Sequence, residues 1–114
     1  MELKTKKLDN IVVINLSGRL DVHLSSDIEK GINEIIKSDP ESHLLLNLEE
    51  VEYMSSSGLR IFVSTMRLLK DNDRKLKLCC INNAVKKIFE VVELMDMFDI
   101  YENENDALKS FKVA

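Results

Sequence analysis

The sequence predicts an α/β fold: one domain with a mixed central sheet of about five strands and about four helices. Three observations carry this expectation. Short β-branched or leucine-rich runs alternate with stretches whose apolar residues recur at helical spacing. The chain has 114 residues, enough to bury one hydrophobic core. Three glycines and one proline leave little room for a long linker, so residues 1–114 are read as a single domain.

The elements follow in order. Residues 1–8 mix Leu3, Thr5 and Leu8 with lysines and read as an edge strand, because lysine on an edge discourages pairing with other chains. Asp9-Asn10 is a two-residue turn signal, so this strand forms a hairpin with the next, Ile11–Leu16. Gly18-Arg19-Leu20-Asp21 is expected to break that second strand. Leu24, Ile28, Ile32, Ile35 and Ile36 then recur at helical spacing, with Ser26 and Glu29 placed as a capping box. Pro40 ends the helix near Asp39, since the residue before a proline avoids helical geometry.

His43–Leu48 is the third strand. Val51, Tyr53 and Met54 alternate with polar positions after it, and Ser55-Ser56-Ser57-Gly58 leads into a second helix. That helix carries Leu59, Phe62, Val63, Met66 and Leu69 on its main face. Lys75–Ile81 is the fourth strand. Asn82 or Asn83 can cap a third helix with Val85, Ile88, Phe89 and Val92 on one face. A short strand around residues 99–101 and a last helix with Ala107, Leu108 and Phe111 complete the chain. Strands alternating with helices after the hairpin imply parallel pairing through right-handed crossovers, with the first strand antiparallel.

Composition removes several functional classes. Apolar residues at 45% and charged residues at 32% describe a folded chain rather than a disordered one. The net charge of −4 comes without a basic stripe, so nucleic acid is not an expected partner. Residues 1–7 lack the apolar segment of a signal peptide, and no apolar run approaches the ~20 residues of a membrane span. A cytoplasmic protein without membrane insertion is expected. Cys79 and Cys80 are neighbours that a strand would turn to opposite faces, so they read as apolar filler rather than a chelate or disulfide. No cofactor or metal is expected.

Chemistry is expected where the third strand turns into the second helix, since α/β domains work at the carboxyl ends of their strands. Backbone N–H groups in the first helical turn lack partners, and the helix dipole favours negative charge there. One serine of the run serves as an N-cap, or one is presented for phosphorylation, which adds about −1.5 to −2 charges. The run is neither a phosphate-binding loop nor a Gly-x-Ser-x-Gly elbow. His23 and His43 are the only histidines, and a serine nucleophile with His23 as base leaves a small serine-dependent hydrolase as a remote alternative. Ile61, Thr65 and Leu68 form a further semi-apolar line on the second helix, open to either a protein contact or an extension of the core.

Val51-Glu52-Tyr53-Met54-Ser55-Ser56-Ser57-Gly58-Leu59 resembles the signature loop of STAS domains, in particular of bacterial anti-sigma factor antagonists. Leu16-Ser17-Gly18-Arg19-Leu20-Asp21 resembles the family's Gly-x-Leu-Asp element. The resemblance covers essentially the whole chain. It implies a non-enzymatic switch in which Ser56 is the phosphoacceptor. The family's loop commonly reads Asp-Ser-Ser-Gly-Leu with its first serine modified, and Ser55 stands where the family usually has Asp. The resemblance further implies an anti-sigma factor that is also a serine kinase as partner, and a PP2C-type phosphatase that resets the switch. The implied docking surface comprises Asp21, Ser55, Ser57, Gly58, Arg60 and Ile61. STAS domains also serve in transport or other signalling assemblies that control no sigma factor, and the sequence leaves that alternative open.

Overall fold

The computed structural model describes residues 3–112. In chain order the elements are β1 (Lys4–Leu8), β2 (Ile11–Leu20), α1 (Val22–Ser38), β3 (His43–Met54), α2 (Ser56–Lys70), β4 (Leu76–Cys79), α3 (Asn83–Val91), a 3-10 turn (Met95–Met97), β5 (Asp99–Tyr101) and α4 (Glu104–Lys112). The five strands lie side by side in sequence order. β1 is antiparallel to β2, and every later pairing is parallel. The expected fold is therefore found. Met1 and Glu2, included in the expected first strand, lie outside the described residues.

Sequential order has a geometric consequence. Right-handed crossovers between neighbouring parallel strands all return over the same face, so α1, α2 and α3 share one side of the sheet. Their side chains Ile28, Ile32, Phe62, Leu69, Val85 and Phe89 meet Val12, Ile14, Leu44, Leu46 and Leu78 in the main core. α4 crosses to the other side, where Ala107, Leu108 and Phe111 cover Ile11, Val13, Leu45 and Cys79. Two covered faces explain the unbroken apolar runs of β2 and β3, because alternate residues enter different cores.

Two basic residues are buried in this frame. Lys77 points under α4, where its ammonium donates to Ser110 Oγ at 2.8 Å and lies 4.7 Å from the centroid of the Phe111 ring. Arg74 joins two turns at the amino end of the sheet, donating from Nε to the Ser42 carbonyl and from Nη2 to the Asp39 carbonyl. α4 is further held by Glu104, which accepts from Lys6 at 2.7 Å and from Asn47 at 3.0 Å. Burial raises the Glu104 carboxyl, but the Lys6 ammonium and the Asn47 amide outweigh it and hold the group below its ordinary value.

Several local expectations are corrected. Gly18-Arg19 does not end β2. The strand continues to Leu20 through two register shifts, and Gly18 takes φ +86°, which absorbs the irregularity. The Ser26/Glu29 capping box is not formed. α1 starts earlier, capped by Asp21, whose Oδ1 accepts from the N–H groups of His23 and Leu24 at 3.0 and 3.1 Å. β3 runs through to Met54 rather than stopping at Leu48. β4 stops at Cys79, two residues short of expectation, because Cys80 adopts φ +67°. That conformation also breaks the strand alternation, so both cysteines pack into the α4-side core and both are free thiols. Burial pushes the Cys79 thiol far up, which leaves it inert. Val92, expected on the core face of α3, is instead its C-cap and 39% exposed.

Candidate functional site

The site is built at the carboxyl ends of β2 and β3. Leu20 and Met54 are parallel register partners, and each is buried in the main core. Each strand then turns directly into a helix. Asp21 is the N-cap of α1 and Ser55 the N-cap of α2. Both caps have extended backbone, with φ near −96° and −92°, so neither turn needs glycine.

A seam joins the two turns. The Leu20 carbonyl accepts from the Ser55 N–H at 2.9 Å and from the Ser55 hydroxyl at 3.1 Å. The same hydroxyl accepts from the Gly58 N–H at 3.3 Å. Ser55 therefore spends its hydroxyl on structure, both as donor and as acceptor. Gly58 closes the seam by close approach. A Cβ at this position would lie 2.9 Å from the Leu20 carbonyl oxygen and 3.1 Å from Met54 Cγ.

These constraints sort the three serines. Ser55 is half-buried and fully engaged, and Ser57 is half-buried in the first turn of α2. Ser56 is exposed at the first helical position. The electrostatics point the same way. The positive end of α1 is met by the Asp21 carboxylate. That of α2 is met only by a neutral hydroxyl, and its first turn contains no acid. An added anion at Ser56 would find unpartnered N–H groups and a favourable dipole.

The expected docking residues divide. Asp21, Ser55, Ser56 and Ser57 converge through the Leu20 seam, and Arg60 is exposed one turn along α2. Gly58 and Ile61 are not surface residues. Gly58 is buried against β2, and Ile61 is 5% exposed in the main core. The semi-apolar line on α2 thus resolves mainly as core, with Thr65 at 2% exposure and only Leu68 facing outward, at 42%. Two surface residues were not foreseen. Val22 is 66% exposed beside Asp21, and Tyr53, just before the loop, lies 4.6 Å beneath the Arg19 guanidinium. An apolar residue at the solvent face of a helix start is the sequence signal that marks Val22. His43 is remote in role from the loop: its Nδ1 accepts from the Lys75 N–H, and its ring stacks on Phe111 of α4.

Asp21 can be tested for its two possible duties. Asp21→Ala should cost about 1 kcal/mol of stability through the lost cap, read by urea denaturation. Asp21→Asn should keep most of that stability. A docking role would appear as weaker partner binding in the Asn variant despite its intact fold. A full loss of stability in Asp21→Asn would show that charge rather than capping geometry holds the turn.

Comparison with known proteins supplies relatives of the same size. An anti-sigma F factor antagonist of Paenibacillus polymyxa is 26% identical over 113 residues, covering 99% of this chain and 97% of the relative. An anti-sigma-B factor antagonist of Staphylococcus aureus is 28% identical over 102 residues, covering 90% and 94%. Among solved structures, unphosphorylated SpoIIAA superposes with a TM-score of 0.83 at 24% identity, covering 99% of this chain and 98% of its own. Its phosphorylated form, from Bacillus, gives 0.73 at 23% identity, covering 96% and 99%. The STAS domain model matches residues 2–107, and the chain belongs to the STAS domain family.

Proposed function

We propose that this chain is an anti-sigma factor antagonist that works by partner switching at Ser56. The observation that carries the reading is the exposure of Ser56 at the first position of α2, on a turn whose neighbouring hydroxyl is already engaged. The names of the full-length relatives support the same class of function. In its unmodified form the chain would bind an anti-sigma factor that is also a serine kinase. The exposed Val22 and Tyr53 would give that contact an apolar centre, with Arg60 and Asp21 at its rim.

Phosphoryl transfer from ATP would form a bond from Ser56 Oγ to the γ-phosphorus and break its bond to the β-phosphate oxygen, releasing ADP. The serine proton passes to the kinase's base. The chain itself catalyses nothing in this scheme. The phosphate would sit over the α2 N-terminus, where it does not disturb the fold, and would place bulk and charge in the contact. A PP2C-type phosphatase would hydrolyse the ester and restore the first state. Such a cycle belongs in the cytoplasm, where ATP and sigma factors are found. Among the described residues, no helix is long and apolar enough to cross a membrane.

Binding affinity tests the scheme. Ser56→Glu should fold normally and bind the cognate anti-sigma factor at least about tenfold more weakly, a change of about 1.4 kcal/mol, measured by calorimetry. Equal affinity in the two proteins would exclude a charge-based switch.

A further inference from the structure

The C-terminal end of α3 combines features that are each unfavourable in the isolated chain. Val91 is 79% exposed, Val92 39% and Met97 43%, the last in the 3-10 turn that follows. Glu90 and Glu93 flank the two valines in sequence, Asp96 directly precedes Met97, and with Met95 the three acids line a groove of about 580 Å3. The helix ends in a Schellman motif, with Leu94 N–H donating to the Phe89 carbonyl at 2.9 Å and Glu93 N–H to the Glu90 carbonyl at 3.1 Å. That motif requires a left-handed residue after the cap. Glu93 fills the position with φ +59°, where glycine is the usual choice.

Electrostatics add to the conflict. The negative end of a helix dipole favours cations, yet the last turn of α3 contains no basic residue and carries Glu90, with Glu93 just beyond. Lys86 and Lys87 lie a turn back toward the N-terminus. Exposed valines, acids at a helix C-terminus and a strained glutamate thus fall within one short segment, residues 90–97. Departures of this kind from local preference cluster at functional surfaces.

We infer that this corner is a second docking surface, and that its occupant is a basic amphipathic helix of a partner protein. The apolar stripe of such a helix would cover Val91, Val92 and Met97. Its lysines or arginines would meet Glu90, Glu93, Asp96 and the terminal carbonyls of α3. A second copy of this chain does not fit, because a symmetric contact would set the same acids against one another in a protein of net charge −4. The surface is also independent of Ser56. β5 is parallel to β4, so the 3-10 turn before it lies at the amino edge of the sheet, whereas the serine turn lies at the carboxyl edge. Binding at this corner should therefore persist through the phosphorylation cycle and hold the chain within an assembly in both states.

A short helical peptide of leucine and lysine, amphipathic by design, is the probe. It is titrated into isotope-labelled full chain and followed through backbone amide shifts. The shifts should concentrate on residues 88–98. Affinity should fall about tenfold in Val91→Ser/Met97→Ser and about tenfold in Glu90→Gln/Glu93→Gln, and stay unchanged in Ser56→Glu. All four substituted side chains are exposed, so unchanged melting temperatures should verify the fold. Shifts dispersed over other acidic surfaces would overturn the assignment, as would equal binding of a leucine/glutamate peptide or undiminished affinity in either double variant. Dimerisation of the chain that disappears in Val91→Ser/Met97→Ser would give the surface to a second copy and would equally refute it.

Discussion

Ser56→Ala is expected to abolish phosphate incorporation completely, while the wild-type chain gains a single phosphate when incubated with its cognate kinase and ATP. Intact-mass measurement reads the result directly. The prediction rests on accessibility and on hydroxyl bookkeeping within the turn. The Ser55 hydroxyl donates to the Leu20 carbonyl and accepts from the Gly58 N–H, so its transfer to phosphorus would break the seam between two helix starts. Ser57 is half-buried. Ser56 alone is exposed, and a phosphate there meets the unneutralised positive end of α2. Ser57→Ala should leave the single phosphate in place. Phosphate that survives Ser56→Ala and maps to Ser55 or Ser57 would refute the assignment.

Arg74→Met should produce the largest stability loss among single polar substitutions, about 2–4 kcal/mol by urea denaturation with an unchanged slope. Arg74 is 7% exposed, and its guanidinium supplies the Ser42 and Asp39 carbonyls near the turn between α1 and β3. Ser42 is itself 2% exposed, so water cannot replace the lost donor there. Methionine fills similar volume but donates nothing, which isolates the hydrogen bonds from the packing. Arg74→Lys should recover only part of the loss, because an ammonium lacks the planar fork that reaches both carbonyls. A loss below about 0.5 kcal/mol, the range of ordinary surface substitutions, would mean that the turn carries itself.

The succession of elements along the chain was legible because the period of the apolar pattern changes at each boundary, and their alternation gave the parallel sense of the later strands. The hairpin at Asp9-Asn10, the leucine run of β3 and the stripe of α2 each identify themselves. What was not legible depends on long-range contacts. Nothing local marks Arg74 or Lys77 as buried, because their partners Asp39, Ser42 and Ser110 are more than thirty residues away. Ile61 read as an open alternative because periodicity places it on α2 without saying what stands opposite. Its burial follows from the sheet and the α1 packing. The cap of α1 was misplaced for a local reason. A capping box was expected at Ser26, but Asp21 lies directly after the strand, and a carboxylate there reaches two N–H groups of the first turn.

At the site, the position of the loop could be foreseen from physics, but the choice among three serines rested on resemblance. Burial and the Leu20 seam now provide a separate reason for the same choice. They also give a role to the serine at the position where the family usually has Asp: Ser55 caps α2 without charge. An Asp there would neutralise the helix end in advance, so this chain keeps its full attraction for an incoming anion.

The Leu20 seam also sets how the loop can vary. Positions 55 and 58 are tied to the fold, one by its hydroxyl and the other by its lack of a side chain. Position 56, exposed between them, is the residue of the turn to which folding is most indifferent. In a saturation library, growth selection for a folded reporter should tolerate most residues at 56 and few at 58. Selection for switching should accept only a phosphorylatable residue at 56. Under the proposed switch, stability and signalling would fall on adjacent residues, and changes in one would accumulate without trading against the other.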